Sequence, residues 1–311
     1  MTSARAWSIT MQLMLLEPRN ISVAVLFGLL VLISLVEMYV SYAHDRKLYT
    51  KEDTWTNVYL MAFAFIINFS TKTATFYLLH YCYQFRLFEI SNFWLYWIVL
   101  VLTQDLLYWV LHTSGHYIRF FWAMHVTHHS SPLFNLTTGF RSTVFEPLYR
   151  VFFYLPLAFM GFSAVDILFA YLVTQLYGNA VHTQAIGKLH PIVEYFLVTP
   201  SHHRVHHASN TLYLDKNMGM VLIIWDRLFG TFQEEVAEDK IIYGLTHQPE
   251  DVGPINIVFH EFKAMHADVK RAPGFKNKLK YMLMPPGWSH NGSTQTAKVM
   301  QRELWAERNK K

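Results

Sequence analysis

Residues 105–131 read DLLYWVLHTSGHYIRFFWAMHVTHHSS, and residues 199–207 read TPSHHRVHH. His112 and His116 stand four apart; His125, His128 and His129 form an H-x-x-H-H run, and His203, His206 and His207 repeat it. His202 and the more distant His182 complete the set. On a helix, positions i, i+3 and i+4 share a face, so each run aims its imidazoles the same way. Burying so many imidazoles without a metal would strand donors and acceptors. Neutral imidazole is the commonest transition-metal ligand, and this number exceeds what one ion uses. The spacing therefore predicts a helical scaffold for two metal ions.

Working outward, the surroundings are apolar. Hydrophobic residues make up 52% of the 311-residue chain and charged residues only 15%, against about a quarter in a typical soluble domain. Membrane-length apolar segments are expected at Ile21–Val40, Asn57–Tyr81 and Phe93–His112,. Lys72 interrupts the second and is expected to face protein or to snorkel. Val144–Phe162 and Ala164–His182 are shorter, and they read as a hairpin that dips into the membrane around Gly161-Phe162-Ser163. The expected fold is an all-α integral membrane protein of about four to five transmembrane or hairpin helices. A cytosolic helical cap would carry the histidine-rich site.

One domain is expected over 1–311, with a core at 95–285 and flexible tails at 1–20 and 289–311. No cleavable leader is expected. Both histidine runs must meet, so the third span and the hairpin must end on one side. Loop 44–56, with Arg46, Lys47 and Lys51, falls on that side, and loop 82–92, with Arg86 alone, falls opposite. The positive-inside bias then faces the site to the cytoplasm, of a bacterial inner membrane or an endoplasmic reticulum, with the N-terminus outside. Sixteen of the 26 lysines and arginines follow His182, a balance suited to anionic head groups of membrane lipids. No compact basic stripe suggests nucleic acid as a partner. Cys82 stands alone, which excludes an internal disulfide and thiolate ligation,.

Several polar residues stand near the ligand candidates. Asp105, two turns before His112, either receives the second N–H of that imidazole or makes a plain helix-to-helix hydrogen bond. His202 is expected to stand behind a ligand or touch substrate, because His203 already completes the pattern. Asn135 and Arg141 could orient carboxylates or substrate oxygens, and Arg141 could instead pair with Glu146. Trp225 and Trp288 read as interface anchors or as site walls. His44, His80, His190, His247, His260, His266 and His290 read as ordinary polar side chains. Imidazoles in this number, with no thiolate, suit a pair of redox-active metals, with iron favoured over zinc. A pair of irons at a membrane face suits oxidation of a lipid by O2. A metal transporter would need a polar path through the spans, and Glu37, Lys72, Asp105 and Asp166 are too scattered to form one.

The H-x-x-x-H of His112–His116, the H-x-x-H-H-S-S of His125–Ser131 and the P-S-H-H-R-V-H-H of Pro200–His207 resemble the fatty acid hydroxylase/sterol desaturase superfamily over about residues 95 to 285. Phe134–Arg141, Val181–Leu189, Asp215–Phe232, Tyr243–His247, Ala272–Lys278 and Pro285–Trp288 extend the likeness to its glyceryl-ether-cleaving branch. Thr113 stands where that family usually has arginine, Ala208 where glycine is common, and Gly178-Asn179 replaces an aromatic-rich approach to His182. The additional C-terminal membrane helices of animal members are not expected. The resemblance implies two iron ions held by His112, His116, His125, His128, His129, His182, His203, His206 and His207. It implies O2-dependent hydroxylation of the ether carbon of a glyceryl ether, with tetrahydrobiopterin as reductant. A sterol or fatty acyl hydroxylase or desaturase fed by a redox partner protein is the alternative.

Overall fold

The computed structural model describes residues 18–141 and 143–310, and those residues form twelve α-helices and one 3-10 turn. The expected N-terminal tail lies almost wholly outside the described residues; helix α1 starts at Pro18. Only two isolated bridges, Leu197 with Leu222 and Ala208 with Tyr243, interrupt the helical pattern among the described residues.

Three helices are long and apolar enough to cross a membrane: α1 (Pro18–Ala43), α2 (Lys51–Tyr83) and α3 (Phe93–Tyr117). Thr50 caps α2 by accepting from the Asp53 amide, and Asn92 caps α3 by accepting from Leu95. Both caps satisfy amides that a helix start leaves open. The 33 residues of α2 extend about 50 Å, well beyond a hydrocarbon layer of about 30 Å. Exposed Tyr39, Tyr42 and Trp55 ring the histidine end of the spans, and exposed Tyr77, Tyr81 and Trp94 ring the opposite end. Such aromatic pairs mark the two water–lipid boundaries. Lys72 is exposed, 21 positions after Lys51, so a helix rise of about 32 Å puts its ammonium near the far boundary.

α4 (Arg119–His129) is split from α3 by a single extended residue, Ile118. α5 (Glu146–Phe159) and α6 (Ala164–Ala180) have 14 and 17 residues, about 21 and 26 Å. Both are shorter than the three spans. Gly161 turns the chain between them at φ 98°, and a Cβ there would lie 2.3 Å from the Phe88 carbonyl oxygen. Only glycine fits both the dihedral and the space. Leu79, Leu100, Leu157, Ile167 and Ala170 pack α2, α3, α5 and α6 into one core.

The cap follows: α7 (Pro191–Phe196), α8 (Pro200–His206), α9 (Ile224–Phe229), α10 (Pro254–Arg271), α11 (Gly274–Leu283) and α12 (Ala297–Arg308). Arg119 ties α10 down through Glu261 at 2.7 Å and Asp268 at 2.7 Å. The C-terminal tail expected from residue 289 is not loose. Leu304 of α12 packs on the Val205–Tyr213 cluster, and Gln301 donates to the Leu214 carbonyl at 2.7 Å. Its few apolar residues gave a weak pattern in sequence, and its place is set by these distant contacts.

Candidate metal centre

The nine histidines converge where α3, α4, the end of α6 and α8 meet, and eight of them are buried. They sort into two sets, each with its ring nitrogens within 4.8 Å of one another: His112, His116, His125, His129 and His206, then His128, His182, His203 and His207. The sets adjoin, with the His129 and His207 rings stacked at 4.5 Å. Pro200 at the first position of α8 and a Thr199–His202 capping box start that helix sharply. This start turns His203, His206 and His207 inward together.

The outer nitrogens of several rings are tied to the protein. His112 Nδ1 meets the Met218 carbonyl at 2.8 Å, His128 the Arg141 carbonyl at 2.8 Å, His182 the Gly178 carbonyl at 2.7 Å and His206 the Lys216 carbonyl at 2.9 Å. His116 Nδ1 meets the Asp215 carboxylate at 3.1 Å. A carbonyl accepts only from N–H, so in those four rings Nδ1 carries the proton and Nε2 presents its lone pair to the interior. Gly178 leaves room for Met220, whose Sδ would lie 2.0 Å from a Cβ there and would have to move aside.

The interior nitrogens crowd one another. His112 Nε2 lies 3.0 Å from His125 Nε2, which lies 3.1 Å from His129 Nε2. His182 Nε2 lies 2.9 Å from His203 Nε2 and 3.1 Å from His207 Nε2. Lone pairs that face each other repel, unless a cation lies between them. Imidazole nitrogens about 2.1 Å from one ion and at right angles are separated by about 3.0 Å, whereas a tetrahedral ion would spread them to about 3.4 Å. Buried His116 Nε2, His206 Nε2 and His203 Nδ1 have no hydrogen-bond partner. Burial, reinforced by the neighbouring imidazoles, holds His125, His129, His203, His206 and His207 well below the usual histidine value. Burial pushes His128 down to about 4. Buried and crowded together, the histidine rings fit metal ions, and the set is compatible with iron,.

The other candidates behave differently. Asp105 does not reach His112. Its carboxylate accepts from the Val221 and Leu222 amides and from Trp225 Nε1, each at 3.0 Å. It thereby anchors the loop whose Met218 carbonyl holds His112. His202 caps α8 and bonds Glu194 through Nε2 at 3.0 Å, and it belongs to neither metal-competent set. Arg141 pairs with Asp53 at 2.7 Å rather than with Glu146, which takes Arg150. Asn135 closes its own turn through the Thr137 and Thr138 amides and donates to the Leu48 carbonyl at 2.6 Å. Trp225 is an anchor for Asp105, and Trp288 packs on Tyr281.

Three carboxylates were missed in the sequence reading. Asp215 holds His116; Asp226 holds the Met218 and Gly219 amides at 2.7 and 2.8 Å. Glu37 of α1 accepts from Thr183, beside His182, and from the Leu136 amide at 2.9 Å. Asp215 and Asp226 fall within Asp215–Phe232, a stretch already distinctive in sequence, whereas Glu37 read only as an interruption of a span.

Residues 97–231 match the family model described as fatty acid hydroxylase. That segment is under half of this chain. It spans all nine histidines, and its surroundings extend the likeness. Alkylglycerol monooxygenase of Homo sapiens is 40% identical over 195 residues, 62% of this chain and 42% of that protein. The Xenopus tropicalis protein of the same name is 38% identical over 210 residues, 66% of this chain and 45% of its own. Ornithine lipid hydroxylase OlsE of Rhizobium tropici is 29% identical over 149 residues, 47% of this chain and 44% of its own. The matches therefore cover under half the length of these relatives. No solved structure matches the chain.

Beside the nine histidines lies a cavity of about 90 Å³. His112, His125, His128, His182 and His203 line one end, and Glu146, Arg150 and Tyr171 line the other.

Proposed function

We propose that the protein is a membrane di-iron monooxygenase that uses O2 to hydroxylate a lipid, most specifically the ether carbon of an alkylglycerol. The observation that carries this reading is the division of nine inward-facing histidines into adjacent sets of five and four. The match to the fatty acid hydroxylase family model and the relatives named alkylglycerol monooxygenase support the lipid and the reaction. Two irons held by these sets would supply O2 activation and oxidation of an unactivated C–H bond.

In the overall reaction an alkyl glyceryl ether, O2, two electrons and two protons give a hemiacetal and water. The hemiacetal then breaks its carbon–oxygen bond to leave a fatty aldehyde and glycerol. The chain's own part is positional. The Met218, Lys216, Gly178 and Arg141 carbonyls fix the rings, Asp215 keeps His116 oriented, and the apolar helices exclude water. Tetrahydrobiopterin is the proposed reductant.

The site faces the cytoplasm in this reading, with Arg46, Lys47 and Lys51 on its side and Arg86 opposite,. The α5–α6 hairpin dips into the same leaflet without crossing. The experiment is fatty aldehyde release from a labelled alkylglycerol by iron-loaded protein, with and without tetrahydrobiopterin. Aldehyde that needs both pterin and O2 supports the reading. No aldehyde from protein holding two irons per chain overturns it. The likeness to an ornithine lipid hydroxylase favours a second reading in that case, acyl-chain hydroxylation with a redox protein as electron donor.

A further inference from the structure

The cavity beside the histidines is polar where its walls should be apolar. Glu146 and Arg150 lie on the first two turns of α5, and Tyr171 and Gln175 face them from α6. The outer sides of these helices expose Leu148, Phe152, Leu172 and Val173, as lipid-facing helices do. Inside, Arg150 bonds Glu146 Oε1 at 3.2 Å, the Tyr171 hydroxyl at 2.5 Å and Asn68 Oδ1 at 2.9 Å. Its guanidinium lies 4.1 Å from the Tyr171 ring centre. Gln175 Nε2 is buried, borders the cavity and has no partner. An ion pair in such a hairpin costs several kcal/mol of desolvation by a rough estimate, and an apolar pair of the same size would be cheaper for the fold. Polar groups held at that cost, with a donor left open, point to a ligand.

We infer that the Glu146–Arg150 end of the cavity, with Gln175 and Asn68, binds the neutral, hydroxyl-bearing head group of a lipid. This rests on the reading of the protein as a lipid monooxygenase, and it names which part of the lipid enters the bundle. Charge decides the class. Glu146 and Arg150 already neutralise each other, so a phosphate or an ammonium would bring an uncompensated charge into a buried site. A hydroxyl can accept from Gln175 Nε2 and donate to the Glu146 carboxylate. An alkyl chain in the same place would leave the Gln175 donor unsatisfied.

Position agrees with charge. Thr143 stands 3.3 Å from His125 Nδ1; Glu146 opens α5 three residues later, and Arg150 lies about 6 Å further along that helix,. A short head seated there leaves the carbon next to it at the histidines.

The test measures binding, without turnover. Iron-loaded protein in nanodiscs, kept anaerobic and without reductant, is titrated with 1-O-hexadecylglycerol, hexadecyl methyl ether and 1-O-hexadecylglycerophosphocholine. The diol lipid should bind about tenfold more tightly than the methyl ether, as one or two net hydrogen bonds would give. Gln175→Leu should remove most of that preference while leaving methyl ether affinity and iron content unchanged. Glu146→Gln should weaken the diol alone; if that variant misfolds, Gln175→Leu decides.

Equal binding of diol and methyl ether, an intact preference in Gln175→Leu, or tightest binding of the phosphocholine would each overturn the head-group site. The same protein in air with reductant separates the two ideas. A diol preference without aldehyde keeps the head-group site and sinks the ether-cleavage reading. Aldehyde without a diol preference does the reverse.

Discussion

The two histidine sets are built from different materials. The five-histidine set hangs on the cap loop: His112, His116 and His206 are tied to Met218, Asp215 and Lys216, within four residues of one another. The four-histidine set is tied to the membrane side. His182 bonds Gly178 of α6, and His128 bonds Arg141, whose side chain grips Asp53 and Asn57 of α2. Three of its four rings, those of His128, His182 and His203, line the cavity, against two of five in the other set. One set is thus held by a loop that folds over late in the chain, and the other by the helices that contact lipid. The four-histidine set also offers fewer nitrogens, so an ion held there would have fewer imidazole ligands,.

Removing a ring from either set breaks the comparison most sharply. His206→Ala should empty the five-histidine set and His203→Ala the four-histidine set, each lowering iron from two per chain to about one and abolishing turnover. Elemental analysis with an activity assay reads both. Full iron and activity in either variant would mean that the sets are not two metal sites.

The tether of the four-histidine set comes next. Arg141→Leu leaves Asp53 buried without its cation, and losing one partner of such a pair costs about 3–5 kcal/mol. Denaturant unfolding in detergent should record that loss, with iron released from the His128 side first. A variant as stable as wild type would show that the α2 contact does not hold this set. For the other set, Asp215→Asn keeps the shape of the contact and weakens its charge. Changes behind a ligand cost about 10- to 100-fold in metal affinity or activity, so chelator competition should strip the five-histidine set faster while the four-histidine set holds. Equal stripping of both would erase the distinction.

What the sequence showed follows the same divide. Eight of the nine histidines were legible because helical spacing fixes a shared face whatever the rest of the chain does, whereas His182 stood alone and joined them through the family resemblance,. The three spans were legible because a bilayer demands length and apolarity. The tethers were not. Spacing put Asp105 under His112, but its bonding partners come from Val221, Leu222 and Trp225, more than 110 positions later. Most of the ring anchors are backbone carbonyls, which leave no residue type to read. His202 carried the same letter as the ligands, yet the helix start turned it toward Glu194. The short cap helices gave little signal, since pieces of 6 or 7 residues such as α7 and α8 depend on tertiary packing rather than on propensity.

Asp105 gives the smallest effect and the finest discrimination. As an imidazole partner it would tune the metal directly, and Asp105→Asn would cut activity by about 10- to 100-fold. The geometry gives it two amides and an indole N–H instead, at 3.0 Å each. An asparagine oxygen keeps part of that donor set, while its NH2 confronts another donor. The expected loss is about 1–3 kcal/mol of stability, the cost of an unsatisfied buried group. Turnover per bound iron should stay within about threefold of wild type, since an anchor two contacts removed from the ring leaves the ligands unchanged. A drop in stability with normal turnover per iron places Asp105 in the scaffold of the loop. Normal stability with a tenfold loss in turnover would mean that the carboxylate acts on His112 after all, and that the cap loop tunes the five-histidine set as well as holding it.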